Sequence, residues 1–373
     1  MSSPPDPPLP DNPDPSRPSI DWAAVEGVMH CDPAGRGLAS FRHDGAPLDA
    51  GQLRIASLDL AQQARRVGIV TGFCARVGAR VTAETDGPPG ALYLAQALVA
   101  CGVEVVLITD GYALPLLAVG CRARNLDPAM LVEFPFEAGP PDAAARLLND
   151  GSLSTTSDRW IETFWMQGKG RELTHLIAIE RPGPSHTFES LEQSGHAAAL
   201  TREQFSASVD QHQSDACHNM RGENIHPWTA KTHRLFEWID QMQLPITTIG
   251  IGDGGNEIGM GHFAWQSLVE AIASPFAAAI ACRIATDFAL IAGVSNWAAY
   301  ALALCVSRLR GIDQLGNWST TAQERALIEQ MVGEGGAVDG LTLRPEPTVD
   351  GLPLDVYLRP LDEMRQMLGF DAS

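Results

Sequence analysis

The sequence has few positive charges and no long hydrophobic run, and both absences exclude classes of protein. Its 373 residues carry 26 Lys and Arg against 45 Asp and Glu, which gives a formal net charge of -19 at pH 7. Nucleic acids and anionic membranes are bound through basic side chains that release counterions, so this charge predicts neither as a partner. No apolar stretch reaches the roughly 20 residues that span a bilayer, so no transmembrane helix is predicted.

Targeting signals and disulfide patterns are also missing. The first residues, MSSPPDPPLPDNPDPSRP, lack both the apolar core of a signal peptide and the basic amphipathic character of a transit peptide. We expect residues 1–19 to form a disordered, Pro- and Asp-rich leader and residues 20–373 to form one folded domain. The seven cysteines are scattered without a CxxC pair. This spacing favours reduced thiols in a cytoplasmic protein over a disulfide scaffold or a zinc site.

What the chain does have, beyond residue 50, is an alternation of helical and β-rich segments. RIASLDLAQQARR has apolar residues at helical spacing and precedes the β-rich run VGIVTGF, and PPGALYLAQALVACG precedes VEVVLIT. The pattern continues through MLVEF, LTHLIAIE, PITTIGIG and FALIAG. It predicts an α/β fold with a mainly parallel sheet and helices on both faces, a Rossmann-like three-layer arrangement. Residues 183–227 break the pattern and predict a polar, His-rich insertion, and residues 333–360 predict an irregular return to a last helix.

Polar, glycine-containing turns follow most of the predicted strands. Ligands of open α/β sheets bind outside the carboxyl ends of the strands, so we expect these turns to form one ligand-binding rim. Each turn taken alone also has an ordinary explanation as turn or capping chemistry, so the inference depends on the set. The polar residues at these turns are Glu84 and Asp86, Asp110, Glu180 and Arg181, Asp253, Asn256 and Glu257, and Ser295 and Asn296.

The loop GIGDGGNEIGMG, residues 250–261, allows two interpretations. It matches the GxGxxG pattern that cradles a dinucleotide phosphate, which would indicate a nucleotide- or NAD-dependent enzyme. Against this, the glycines continue past the pattern, so no helix begins where a pyrophosphate needs a helix N-terminus, and Asp253 would repel a phosphate. The second interpretation is a loop that directs carboxylates toward a ligand. A non-catalytic small-molecule binding protein remains a further alternative.

A cluster of carboxylates at one rim requires protons or a cation, because like charges at close range are costly. A hard divalent cation, Mg²⁺ or Mn²⁺, is the natural partner of several carboxylates that have no Cys or His in register. The sequence therefore predicts a divalent metal site, although acids on separate loops can also simply face solvent. The candidate ligands are Glu84, Asp86, Asp110, Glu180, Asp253 and Glu257.

Seven motifs between about residue 50 and residue 310 resemble, in the same order, those of the D-glutamate cyclase family. They are TGF, ETDGPPGA, TDG, IERPG, NMRG, GIGDGGNEIGMG and AGVSNW. The resemblance implies a lyase that converts D-glutamate into 5-oxo-D-proline and water, with a small molecule as the partner. The sequence predicts neither the oligomeric state nor the preference for one enantiomer.

The implied reaction assigns roles to residues within these motifs. The amine of the substrate must lose a proton before it attacks the γ-carboxylate, so a base is needed, and Asp253, Glu257 and Asp86 are the candidates. The substrate is an anion, and bare carboxylates would repel it unless a metal or an arginine reverses the local charge. Arginine suits a bidentate contact with a carboxylate. The candidate substrate-binding residues are Arg221, Arg181, Asn219, Asn256, Ser295 and Asn296.

Overall fold

The structure is a computed structural model that describes six stretches of the chain. They are residues 19–137, 146–147, 153–154, 156–193, 202–312 and 315–370. The predicted leader at residues 1–19 lies outside the described residues except for its last position.

Six parallel strands form the central sheet, in the order β10-β9-β8-β1-β4-β5. Three two-stranded antiparallel sheets accompany it, formed by β2 with β3, β6 with β7, and β11 with β12. The strands are β1 (Arg66–Thr71), β2 (Cys74–Val77), β3 (Arg80–Ala83), β4 (Glu104–Thr109), β5 (Leu131–Glu133), β6 (Arg146–Leu147), β7 (Leu153–Ser154), β8 (His175–Ile179), β9 (Thr247–Gly252), β10 (Phe288–Ile291), β11 (Thr348–Val349) and β12 (Leu352–Pro353).

Helices cover both faces of the central sheet. They are α1 (Trp22–Met29), α2 (Gln52–Gln63), α3 (Pro88–Ala100), α4 (Leu114–Ala123), α5 (Thr156–Met166), α6 (Phe188–Gln193), α7 (Arg202–Ser208), α8 (His233–Gln241), α9 (Trp265–Ala271), α10 (Ala277–Ile280), α11 (Ser295–Leu309), α12 (Thr321–Gly333), α13 (Leu354–Tyr357) and α14 (Arg359–Met367). Short 3₁₀ turns occur at Pro128–Met130, His226–Trp228 and Asn317–Ser319. Among the described residues, no helix combines the length and the apolar character that a bilayer span requires.

Two hydrophobic cores lie on opposite sides of the sheet, because successive side chains of a strand point to opposite faces. Val67 and Ile69 of β1 and Leu107 of β4 pack with α1 to α4 and α11 to α14. Val70 and Ile108 pack with α5 to α10 on the other face. Complete burial of such a side chain contributes about 1.5–3 kcal/mol. The structure thus confirms the predicted three-layer α/β fold.

Two regions outside the alternation hold more regular structure than the sequence suggested. Residues 333–360 contain β11, β12 and the short helix α13, with Asp350 and Gly351 forming the turn between the two strands at φ angles of 54° and 74°. Two positive φ angles are what the favoured two-residue hairpin turn requires. The predicted insertion at 183–227 includes α6 and α7, and its residues 194–201 lie outside the described residues.

Candidate active site

The glycine loop, residues 250–261, folds around the carboxylate of Glu257, which is one of its own residues. The backbone N–H groups of Gly254 and Gly255 donate to the two oxygens of Glu257, at 2.9 and 2.8 Å. A Cβ atom at position 254 would lie 2.5 Å from Asn256 Oδ1 and 2.9 Å from Glu257 Oε1, so only glycine leaves room for both side chains. No helix follows until α9 begins at Trp265. The loop therefore holds polar side chains and lacks the helix N-terminus of a dinucleotide cradle.

Asp86 joins the ETDGPPG loop to the beginning of α11. Its carboxylate accepts hydrogen bonds from the backbone N–H groups of Gly87, Ser295 and Asn296 at 2.9 to 3.0 Å. The Asn296 side chain returns the contact, because its Oδ1 accepts from Gly87 and Gly90 and its Nδ2 donates to the Thr85 carbonyl. Asn296 thus fastens one loop to one helix and has no contact with the cavity described below.

Glu180 follows β8 in a left-handed backbone conformation, with φ of 43°. The Ser295 hydroxyl donates to its Oε2 at 2.5 Å. Burial, followed by the charges of Asp253 and Glu257, raises the pKa of Glu180 well above its usual value. A carboxyl in this environment holds a proton more tightly than an exposed one.

Arg36 is a basic residue among these acids, and sequence reasoning missed it. Its Nη1 donates to Asp253 Oδ1 at 2.5 Å, and its Nη2 pairs with Asp350. Asp32 fixes the loop around it by accepting from the backbone N–H groups of Arg36 and Gly37, at 3.0 and 2.9 Å. The guanidinium is therefore held between two acids that lie 217 and 314 positions away along the chain.

Asp350, which sequence reasoning also missed, enters the site on the turn between β11 and β12. Asp339 accepts from the Gly351 N–H at 2.7 Å and from two N–H groups of its own loop, which fixes that turn in place. The only signal in the sequence was the dipeptide Asp-Gly between short apolar runs, which predicts a hairpin and indicates no ligand.

Five buried acids lie around Arg36, and we call them the acid cluster: Asp86, Glu180, Asp253, Glu257 and Asp350. Two groups of three, Asp86 with Asp253 and Asp350, and Glu180 with Asp253 and Glu257, each have carboxylate oxygens within 4.8 Å of one another. Burial raises the pKa of every member of the acid cluster. Arg36 alone cannot neutralise the cluster, so protons or a cation must supply the rest of the positive charge.

A cavity of about 430 Å³ borders the acid cluster. Arg36, Glu84, Glu180 and Asn256 form its polar inner wall. Burial and the charges of Asp350 and Asp86 raise the pKa of Glu84 well above its usual value. The rest of the wall comes from the β2 strand and its approach (Phe73, Cys74, Ala75, Arg76), the insertion (Asn219, Met220, Arg221, Glu223) and apolar loops that include Phe276, Leu341 and Leu343.

Three predicted substrate-binding residues at this rim have different surroundings. Arg221 is exposed at the cavity wall, and its Nη2 donates to the Leu341 carbonyl at 2.6 Å. Asn219 also lines the cavity, but its side chain is engaged with Arg221 N and with Glu223. Arg181 is completely buried and is absent from the cavity wall.

The partners of Arg181 explain its position. It forms an ion pair with Asp110 at 2.7 Å and donates to the carbonyls of Gly72 and Ala230 and to the Thr232 hydroxyl. These contacts use most of the five N–H donors of an arginine. Asp110 belongs to neither group of close carboxylates, so the structure separates this ion pair from the acid cluster.

Stability is expected to fall as pH rises, because the folded protein holds protons that the unfolded chain releases. Burial and the charge of Asp350, which Arg36 opposes in part, raise the pKa of Asp86 from 3.8 to about 7. Between these two values the folded state binds more protons than the unfolded state, so the free energy of unfolding decreases with pH. Thermal melts in the presence of a chelator should show a melting temperature that falls from pH 5 to pH 8. The decrease per pH unit should be smaller for Asp86→Asn. A wild-type midpoint that rises across this window, or an equal slope in the variant, would contradict the expectation.

Comparison with known proteins shows which family the chain belongs to. The family model described as "D-glutamate cyclase-like, C-terminal" matches residues 25–196 and 207–365. The human protein named "D-glutamate cyclase, mitochondrial" is 31% identical over 286 residues. The match covers 75% of this chain but only 37% of the human protein. The chain belongs to the D-glutamate cyclase-like family.

Proposed function

We propose that this protein is a lyase that converts D-glutamate into 5-oxo-D-proline and water. The observation that carries the proposal is a small cavity whose inner wall combines the guanidinium of Arg36 with the carboxyl of Glu180, backed by the acid cluster. Family membership supports the same reaction. In this reaction the amine nitrogen bonds to the γ-carboxyl carbon, one carbon–oxygen bond breaks, and two protons leave the ammonium group with that oxygen as water.

Glu180 is the acid best placed to accept the first proton. It lines the cavity, and its raised pKa makes it a stronger base once it is ionised. Asp86, Asp253 and Glu257, the bases suggested by the sequence, lie in the acid cluster and are absent from the cavity wall. We propose that they set the charge and proton content around Glu180.

The two carboxylates of the substrate require positive charge on the wall. Arg36 lies at the acid cluster, where the γ-carboxylate must lose its oxygen, and a donor there offsets the developing charge. Arg221 is exposed at the cavity wall and suits the α-carboxylate. Arg76 is already paired with Glu223, and its guanidinium stacks 4.0 Å from the centre of the Trp228 ring.

Proton NMR of the purified protein with D-glutamate or L-glutamate, in chelator and with added Mg²⁺ or Mn²⁺, tests the proposal directly. Appearance of 5-oxoproline from the D enantiomer is the expected result. Absence of product from either enantiomer under all these conditions would overturn it. Binding without turnover would favour a non-catalytic small-molecule binding protein.

A nucleotide- or NAD-dependent enzyme is the second alternative raised by the sequence. The observed loop disfavours it, because Glu257 already accepts the N–H groups of Gly254 and Gly255 that a phosphate would need. We expect no thermal stabilisation by ATP or NAD. A clear rise in melting temperature with either nucleotide would favour the alternative.

The cysteines bear on the cellular location. All seven cysteines are free thiols, which supports a reducing compartment, and we propose the cytoplasm. The name of the human relative assigns that protein to mitochondria.

Replacing Arg221 with lysine is expected to weaken substrate binding about tenfold while leaving the maximal rate nearly unchanged. Lysine keeps the charge but loses the planar, bidentate contact with a carboxylate. Initial rates over a range of D-glutamate concentrations would give KM and kcat separately. Arg234→Lys, at a surface ion pair with Asp158 and Glu237, is the matched control. An unchanged KM in the Arg221 variant would place this residue in loop structure alone.

A further inference from the structure

The two groups of close carboxylates share Asp253 but differ in what already neutralises them. In the first group, Arg36 contacts Asp253 and Asp350 directly and supplies a positive charge. The third member, Asp86, is satisfied by three backbone N–H groups. The first group therefore already has a positively charged partner, Arg36.

In the second group, which consists of Glu180, Asp253 and Glu257, Arg36 contacts only Asp253. Glu180 accepts from the Ser295 hydroxyl, and Glu257 accepts from two backbone N–H groups of the glycine loop. These donors are neutral. Three carboxylates whose oxygens lie within 4.8 Å of one another thus have one arginine contact among them, at Asp253 Oδ1.

Both groups contain a carboxylate oxygen without a partner among the described residues, Oδ2 of Asp253 and Oδ2 of Asp350, but only the second group also has the Asn256 amide oxygen beside one of its members. Asp253 is 1% exposed, and its Oδ2 has no hydrogen-bond partner among the described residues. Asn256 is also 1% exposed, and its Nδ2 donates to the His218 carbonyl at 2.7 Å, which leaves Oδ1 as the free end of the amide. Asn256 Oδ1 and Glu257 Oε1 border the same space beside Gly254. A buried oxygen without a partner is costly unless a ligand satisfies it.

We propose that Glu180, Asp253 and Glu257 bind one divalent cation of the Mg²⁺ or Mn²⁺ class, with the Asn256 amide oxygen beside them. Oxygen donors of this kind, several of them carboxylates, match the preference of these hard cations. Arg36 contacts Asp253 Oδ1, so one acid joins the arginine to the cation site. The inference rests on the proposed function and deepens it, because Glu180 also lines the cavity: one of its oxygens would bind the cation and the other would stay available to accept a proton, while the cation would offset the charge of a substrate carboxylate.

Direct binding of Mn²⁺ to the full chain, without substrate, tests this site. Calorimetric titration of chelator-treated and then desalted protein should show one site, and the electron paramagnetic resonance signal of free Mn²⁺ should fall in parallel. Glu257→Gln and Glu180→Gln should each weaken binding at least tenfold, because each removes one charged ligand. Glu270→Gln removes an exposed acid from α9 and should bind like the wild type. Circular dichroism of each variant checks that it is folded.

Absence of Mn²⁺ binding by folded wild-type protein would overturn the inference, as would equal affinity in the two cluster variants and the Glu270 control. Binding that disappears in both cluster variants but persists in the control supports it. The readout is independent of turnover. Protein that binds Mn²⁺ at this site but forms no 5-oxoproline would refute only the proposed function, and cyclisation by protein that binds no cation would refute only the metal site.

Discussion

Arg36→Met is expected to reduce turnover by at least a hundredfold and to destabilise the protein. The substitution keeps the approximate length of the side chain but leaves Asp253 and Asp350 buried without their basic partner. Removing one partner of a buried ion pair typically costs about 3–5 kcal/mol. Because Arg36 is 18% exposed and the acids can take up protons, we expect the lower end of that range. Thermal melts and the D-glutamate assay would measure both effects.

The pH dependence of the Arg36→Met variant separates electrostatics from packing. At pH 5 the acids of the cluster hold more protons than at pH 8, because burial raises their pKa values, so the lost positive charge matters less. At pH 8 more of them must ionise without their basic partner, so the loss in melting temperature should be larger than at pH 5. Arg42→Met removes an exposed arginine from the same N-terminal segment and should change neither quantity. Equal destabilisation at both pH values would mean that Arg36 acts through packing alone.

The strand-end residues were predictable because parallel topology brings them together regardless of their distance in sequence. Asp86, Glu180, Asp253 and Glu257 follow strands or precede a helix at one rim, and alternation of β and α segments was enough to predict that they share it. The pattern of apolar residues predicts the strands, and ligands of open sheets bind at the carboxyl ends of strands. The two together predict the rim. The structure brings these four acids together with Asp350.

Arg36 and Asp350 were not predictable by the same reasoning. Both lie on segments that have no place in the alternation, one before α2 and one after α12. A short loop carries no periodic signal, and its partner depends on tertiary packing that no local pattern encodes. Arg181 is a different case, because the sequence does predict a role for it at the rim. Its position after β8 suggested contact with substrate, whereas the structure surrounds it with Asp110, backbone carbonyls and Thr232.

Asp253→Asn is expected to lower turnover by roughly a hundredfold or more, the scale of a lost general base or of a lost charge-bearing ligand. Asp253 belongs to both groups of close carboxylates. One of its oxygens contacts Arg36, and the other has no hydrogen-bond partner in the part of the chain that the structure describes. An asparagine keeps the shape, and its amide oxygen retains the Arg36 contact. Its NH₂ group then takes the place of the unpartnered oxygen, where it can donate hydrogen bonds but cannot bind a cation.

Stability should stay constant or rise in this variant, because one of several crowded negative charges is gone. Asp287→Asn is the matched control, since Asp287 accepts from Thr248 at the opposite, amino end of β9 and lies far along the strand from the rim. It should retain wild-type turnover. The NMR assay would compare the turnover of the two variants, and thermal melts would compare their stability. Wild-type turnover in Asp253→Asn would make Asp253 a turn residue only, whereas tighter nucleotide binding by that variant would revive the phosphate-cradle interpretation of the glycine loop.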